Sequence, residues 1–141
     1  MISTKYNLKK LTAELIYLFL IFFFCYTAAN KLMNIESFRT NLIKTTLFSI
    51  KTAYYFSFIV ILLEIIIIGL LIYKKLIGLL VFVITLIFFT LYISYLNYNQ
   101  LYEVCGCGGV LNGLKYQYHF MINIGLIFGG MFCLYANKYE K

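Results

Sequence analysis

From Ala53 to Tyr73 the chain runs almost without interruption through apolar residues, broken only by Glu64, and after Lys74-Lys75 a second apolar run extends from Leu76 to Leu96. As helices, runs of about 20 residues span about 30 Å, the thickness of a bilayer's hydrocarbon core. Their many β-branched residues do not make them strands, because each run is far longer than an ordinary strand. With so short a connection, the two runs are expected to form an antiparallel hairpin of membrane-spanning helices.

Composition agrees. The chain has 141 residues, enough for one domain, and 63% of them are hydrophobic, with a mean hydropathy of +0.89; soluble domains lie near 45–50% apolar. The net charge of +7 does not point to nucleic acid, since the basic residues are scattered at the ends of apolar runs and form no basic stripe. They are better placed to hold the chain at anionic headgroups of the lipid bilayer. Proline is absent, so no helix has a kink imposed by one.

Two further spans complete an all-α, four-helix transmembrane bundle within a single integral membrane domain, 1–141. A first span is expected at 11–30, retained because Ala28-Ala29-Asn30-Lys31 offers no small-x-small cleavage pattern. The others fall at 53–73, 76–96 and 119–136, the last with Gly129-Gly130 to permit close helix packing or a mild bend, and with Cys133 as a small packing residue. Segment 34–51 is too polar to span. Asn34 is placed to cap a short interfacial helix with Glu36 in its first turn, and Ile35, Phe38 and Leu42 follow helical spacing; a plain connector is the other reading.

Four spans put both termini on one side. Seven lysines flank that side (5, 9, 10, 74, 75, 138, 141), against five basic residues opposite (Lys31, Arg39, Lys44, Lys51, Lys115). By the positive-inside rule the termini face inward and the loop 99–117 faces outward. That loop carries Cys105-Gly106-Cys107-Gly108-Gly109. Glycines free the backbone for a tight path and leave the sulfurs little covered. The pair is open to three readings: idle thiols in a flexible loop, a redox pair, or half a metal site. Tetrahedral thiolate sites take four ligands at wider spacing, and Cys25 and Cys133 lie in apolar segments, so no metal is expected. An outward loop sits where disulfides persist.

Three other residues carry chemistry. Glu64 lies near mid-membrane, where a bare carboxylate is costly, so it is expected to be protonated or paired with groups such as Thr85, Thr90, Tyr92 or Asn123. It serves proton handling, support for a redox centre, or helix packing. His119, the single histidine, begins the last span on the side of the cysteine loop; its imidazole can take a thiol proton or stabilise a thiolate, or else anchor the helix at the headgroups. Cys25 sits roughly five residues, about 7 Å by helical rise, from the outer end of the first span, and can be considered a third, exchanging thiol.

The order Ala28-Ala29-Asn30-Lys31-Leu32, Phe38 and Leu42, Leu63-Glu64, Cys105-Gly106-Cys107-Gly108-Gly109, His119 and Asn123 resembles the MauE branch of the DoxX-like membrane proteins over nearly the whole chain. The resemblance implies a four-helix membrane bundle of the bacterial cytoplasmic (inner) membrane, associated with thioredoxin-like partners and with disulfide formation or electron delivery. It implies Cys105, Cys107, His119 and Glu64 as candidate catalytic residues, and Lys31, Phe38 and Asn123, beside Cys25, as supporting ones. Tyr116 and Tyr118 stand where a tryptophan is common in the family.

The expected function is a thiol-disulfide redox protein passing electrons between an extracytoplasmic thioredoxin-like partner and a quinone or membrane thiol. The alternative is a non-enzymatic structural or assembly subunit contacting other membrane subunits, its cysteines at most a static crosslink. A transporter is a third option, and with four spans it would need oligomerisation. A second accessible thiol pair, or a quinone-sized pocket near Cys25 and Glu64, would separate the first two. Nucleotide-binding glycine motifs are absent.

Overall fold

A computed structural model describes residues 2–101 and 115–138, with side chains for 8–101 and 115–137. Five helices follow in order: α1 (Ile2–Met33), α2 (Ile35–Lys44), α3 (Ile50–Tyr73), α4 (Lys75–Tyr98) and α5 (Tyr116–Lys138). The described residues form an all-α fold. α1, α3, α4 and α5 are the four membrane-spanning helices, and α2, of ten residues, does not span. Each long helix continues past its apolar run, because the flanking polar residues carry no helix breaker.

The long helices form an antiparallel ring in which α1 packs on α3 and α5, and α4 packs on α3 and α5. Only Lys74 separates α3 from α4; its N–H bonds the Leu70 carbonyl at 2.8 Å and its own carbonyl accepts from Gly78 at 2.9 Å. So sharp a reversal brings the two backbones together. A Cβ added to Gly78 would lie 2.5 Å from the Leu71 nitrogen, so glycine is required there. On the opposite side of the ring, Gly129 lies under Ile16 and Gly130 under Val83, where a Cβ would come within 3.3 and 2.7 Å of those side chains. Of the two roles expected for these glycines, close packing is the one seen.

In α1 the buried face repeats at Ala13, Tyr17, Leu20, Phe24, Thr27, Ala28 and Lys31, the spacing of a helix stripe facing a core. Leu20 and Phe24 meet Ile67, Leu71, Leu79, Phe82 and Leu126 in the main apolar cluster, with Phe24 and Phe82 rings 4.6 Å apart. At the terminal end, Tyr17 donates to the Leu71 carbonyl, Lys75 pairs with Glu14, and the Cys133 thiol donates to the Ala13 carbonyl at 3.3 Å. Cys133 is wholly buried, as suits a packing residue. The outer surface is apolar too: Phe22 is 69% exposed and Phe88 66%. Water would not tolerate so continuous an apolar belt, but lipid does.

α2 folds back over the other end. Phe38 and Leu42 bury against Ala53 and Val60 of α3. Arg39 fastens the contact: its Nε donates to Ser57 Oγ at 3.2 Å, while the guanidinium lies 4.2 Å from the Tyr54 ring centre and 5.0 Å from that of Phe58. Asn34 occupies the N-cap position of α2, yet its side chain makes no capping bond. It turns back to donate to the Asn30 carbonyl and side-chain oxygen, both at 3.1 Å. That tie holds the α1–α2 corner in place of the expected cap. α2 ends through Thr46, a β-branched residue with φ of 59°, and Ser49 caps α3 by accepting from the Thr52 N–H at 3.3 Å.

Candidate functional site

Beneath α2 the bundle is hollow. A cavity of about 230 Å³ lies between α1, α2, α3, α4 and the first turns of α5. Its walls are mostly aromatic and aliphatic: Phe23 and Phe24 from α1, Phe38 and Leu42 from α2, Phe56 and Val60 from α3, and Leu86, Phe88, Phe89 and Ile93 from α4. Into this apolar space come a few polar side chains: Thr27, Lys31, Glu64, Tyr92, His119 and Asn123.

Lys31 and Glu64 form its centre. Both are almost completely buried, at 6% and 1% exposure, and the Lys31 ammonium donates to Glu64 Oε1. Lys31 stands near the end of α1, and its four-carbon stem runs inward along the bundle to the middle of α3. The ammonium passes 5.7 Å from the ring centre of Phe89 and 6.0 Å from that of Phe38, within reach of cation–π attraction. The partner of Glu64 is therefore Lys31, and not the hydroxyl and amide groups expected for it. Thr90 and Asn123 bond each other, Asn123 Nδ2 to Thr90 Oγ1 at 3.3 Å. Taking both charges out of water is costly, and their mutual attraction offsets that cost only when the remaining lone pairs are also satisfied. Here they are not, because among the described residues Glu64 Oε2 is buried without a hydrogen-bond partner.

His119 and Asn123 project from α5 one helical turn apart, and both are buried. His119 faces the cavity, 3% exposed, so it is no headgroup anchor. Phe38, read as part of the motif after the first span, forms the lid contributed by α2. Five of the expected site residues (Lys31, Phe38, Glu64, His119 and Asn123) thus converge on one space although they come from four helices. Cys25 does not join them. It is exposed on the outer side of α1, next to the cavity-lining Phe24 but turned away from it. Cys105 and Cys107 lie outside the described residues, in the segment that leads into α5 and His119.

The arrangement can hold a small, mostly apolar group against a buried ion pair. Lys31 offers donors beyond the one used by Glu64. The role of Lys31 was the part hidden from sequence reading, although a signal exists. The stripe Leu20, Phe24, Thr27, Ala28 continues in phase to Lys31 and marks it as inward-facing.

Compared with known proteins, the chain is matched over residues 9–136 by the sequence model of the family described as Methylamine utilisation protein MauE. No curated protein and no solved structure matches it.

Proposed function

The chain belongs to the MauE family, and from that premise we propose that it is a membrane thiol-disulfide redox protein of the bacterial cytoplasmic membrane, its termini inside and its cysteine loop outside. In this reading Cys105 and Cys107 exchange with an extracytoplasmic thioredoxin-like partner and pass electrons to a quinone or a membrane disulfide. Thiolate attack on a disulfide gives a mixed disulfide, and the second thiol resolves it. Each cycle of the pair between dithiol and disulfide moves two electrons and two protons, which the acceptor takes up. His119 stands at the head of α5 as the group that receives a thiol proton, and Glu64 with Lys31 provides the polar end of an acceptor site.

One observation supports the reading: the cavity is lined by both His119 and Glu64, and among the described residues Glu64 Oε2 is buried without a hydrogen-bond partner. A helix bundle serving only as a packing subunit gains nothing from a hollow of this kind, since an unsatisfied buried acceptor costs about 1–3 kcal/mol and more when charged.

The test is trapping. With either cysteine replaced, Cys105→Ser or Cys107→Ser, the remaining thiol is expected to hold the partner as a mixed disulfide, visible on non-reducing gels after acid quenching and alkylation and identified by mass spectrometry. An adduct from a single variant and none from the double variant supports exchange. Absence of any adduct, with the native process unchanged in the double variant, rejects it.

A further inference from the structure

We propose that α2 is a hinged cover latched by Arg39: it swings about Asn34 and Thr46 and opens the cavity to water at the end of the bundle where α4 stops and α5 begins. The motion is independent of the thiol chemistry proposed above.

The need for an opening comes from burial. Lys31 and His119 both line the cavity, yet they are only 6% and 3% exposed. While the wall stands closed, neither a proton nor a water-soluble group passes freely between them and bulk water. The four spanning helices are poor candidates for the moving part, because each packs on two neighbours in the ring. α2 packs along α3 and meets α1 at their shared corner. Its two faces are those of a cover: Phe38 and Leu42 line the cavity, while Glu36, Ser37, Thr40 and Lys44 are exposed.

Both ends of α2 are suited to turning. Asn34, between α1 and α2, has non-helical angles of φ −117° and ψ 39°. Thr46, just past the other end, is held at φ 59°, a region that a β-branched residue occupies only under strain. Relaxation of Thr46 redirects the chain and carries α2 with it, since a few such terminal positions suffice for a hinge. Arg39 holds against this. It donates to Ser57 Oγ at 3.2 Å, lies 4.2 Å from the Tyr54 ring centre and pairs with Glu36, so one side chain fastens α2 to α3. The buried ion pair pulls the other way. With the cover closed, the Lys31 ammonium lies 6.0 Å from the Phe38 ring centre and is nearly shut off from water. Opening hydrates an ion that is costly to bury, which offsets part of the packing that Phe38 and Leu42 give up.

Two readouts on the full chain in phosphatidylcholine nanodiscs test the motion, with Cys25, Cys105, Cys107 and Cys133 all replaced by serine. The first is the rate at which 2-sulfonatoethyl methanethiosulfonate, a charged reagent that does not cross lipid, modifies Thr27→Cys. Thr27 lines the cavity and is buried. Its labelling is expected at about a hundredth of the rate at the exposed position Ser37→Cys, as for a minor open state. Arg39→Ala is expected to raise the Thr27→Cys rate about tenfold, the combined worth of a hydrogen bond and a cation–π contact; Arg39→Lys, which keeps the charge and folds as the parent does, is expected to raise it less. The second readout is the pulsed dipolar distance between spin labels at Thr40→Cys on α2 and Asn97→Cys on α4, both exposed positions. Arg39→Ala is expected to add a second, longer distance. Gly78→Ala, which loosens the hairpin at the opposite end of the bundle, is the control and is expected to change neither readout. The proposal is overturned if both arginine variants leave the labelling rate unchanged, if labelling rises without a second distance, or if Gly78→Ala opens the cavity as well as Arg39→Ala does.

Discussion

Lys31 and Glu64, 33 residues apart in sequence, meet as a buried ion pair halfway down the bundle, and among the described residues only one of the two carboxylate oxygens is bonded. Removing either partner strands the other charge. Glu64→Leu and Lys31→Met are each expected to destabilise the bundle by about 3–5 kcal/mol, whereas the Lys31→Met/Glu64→Leu double variant recovers most of that loss. Glu64→Gln, which still accepts from Lys31, is expected to cost less than Glu64→Leu. Unfolding in mixed detergent micelles, analysed as a double-mutant cycle, measures each term; additive losses would show that the pair is not coupled.

Two glycines on the same hairpin should respond oppositely. Gly78→Ala forces a Cβ into the Leu71 backbone, whereas nothing lies within 4 Å of a Cβ at Gly69. Gly78→Ala is expected to lower the thermal midpoint sharply. Gly69→Ala is expected to leave it unchanged or raise it, with a gain of about 0.5–1 kcal/mol from helix propensity. Equal effects at both positions would contradict the close contact.

Thr46 holds a left-handed backbone, φ 59°, at the end of α2, a conformation that costs an L-residue with a Cβ about 1–2 kcal/mol. Thr46→Gly is expected to be neutral or stabilising, by up to about 1 kcal/mol once the added freedom of the unfolded glycine is counted. A marked loss of stability in the same unfolding assay would mean that the Thr46 hydroxyl, which bonds the Thr45 carbonyl at 2.7 Å, matters more than the strain.

The proposed orientation is open to direct labelling. In a Cys25→Ser/Cys133→Ser background, a membrane-impermeant maleimide applied to intact cells after mild reduction is expected to reach Cys105 or Cys107. Labelling that requires membrane rupture reverses the topology and places the thiol pair in a reducing compartment.

Most of the architecture could be read from local sequence, because a span declares itself by unbroken apolarity and needs no knowledge of its neighbours. Glu64 was likewise conspicuous, a single acid within an apolar run. Its partner was not. A lysine at the end of a span ordinarily reaches out to headgroups, and only the in-phase stripe from Leu20 to Lys31 hints that this one turns inward. Asn34 has the residue type of a helix cap, but Asn30 one turn earlier competes for its amide. Such competition depends on the angle of a corner that sequence does not express. Cys25 shows the same limit in reverse: its depth in the span was legible, while the side of α1 it occupies depends on packing against α3 and α5.

The single residue between α3 and α4 also bears on how the protein is made. With Lys74 alone outside the two helices, the pair is expected to enter the membrane as one hairpin and to commit its orientation in one step. In the proposed orientation, Lys74 and Lys75 at its apex are the retained, uncrossed end. Changes of charge there would reorient a hairpin rather than a helix, carrying the Glu64 carboxylate and half of the cavity wall with it.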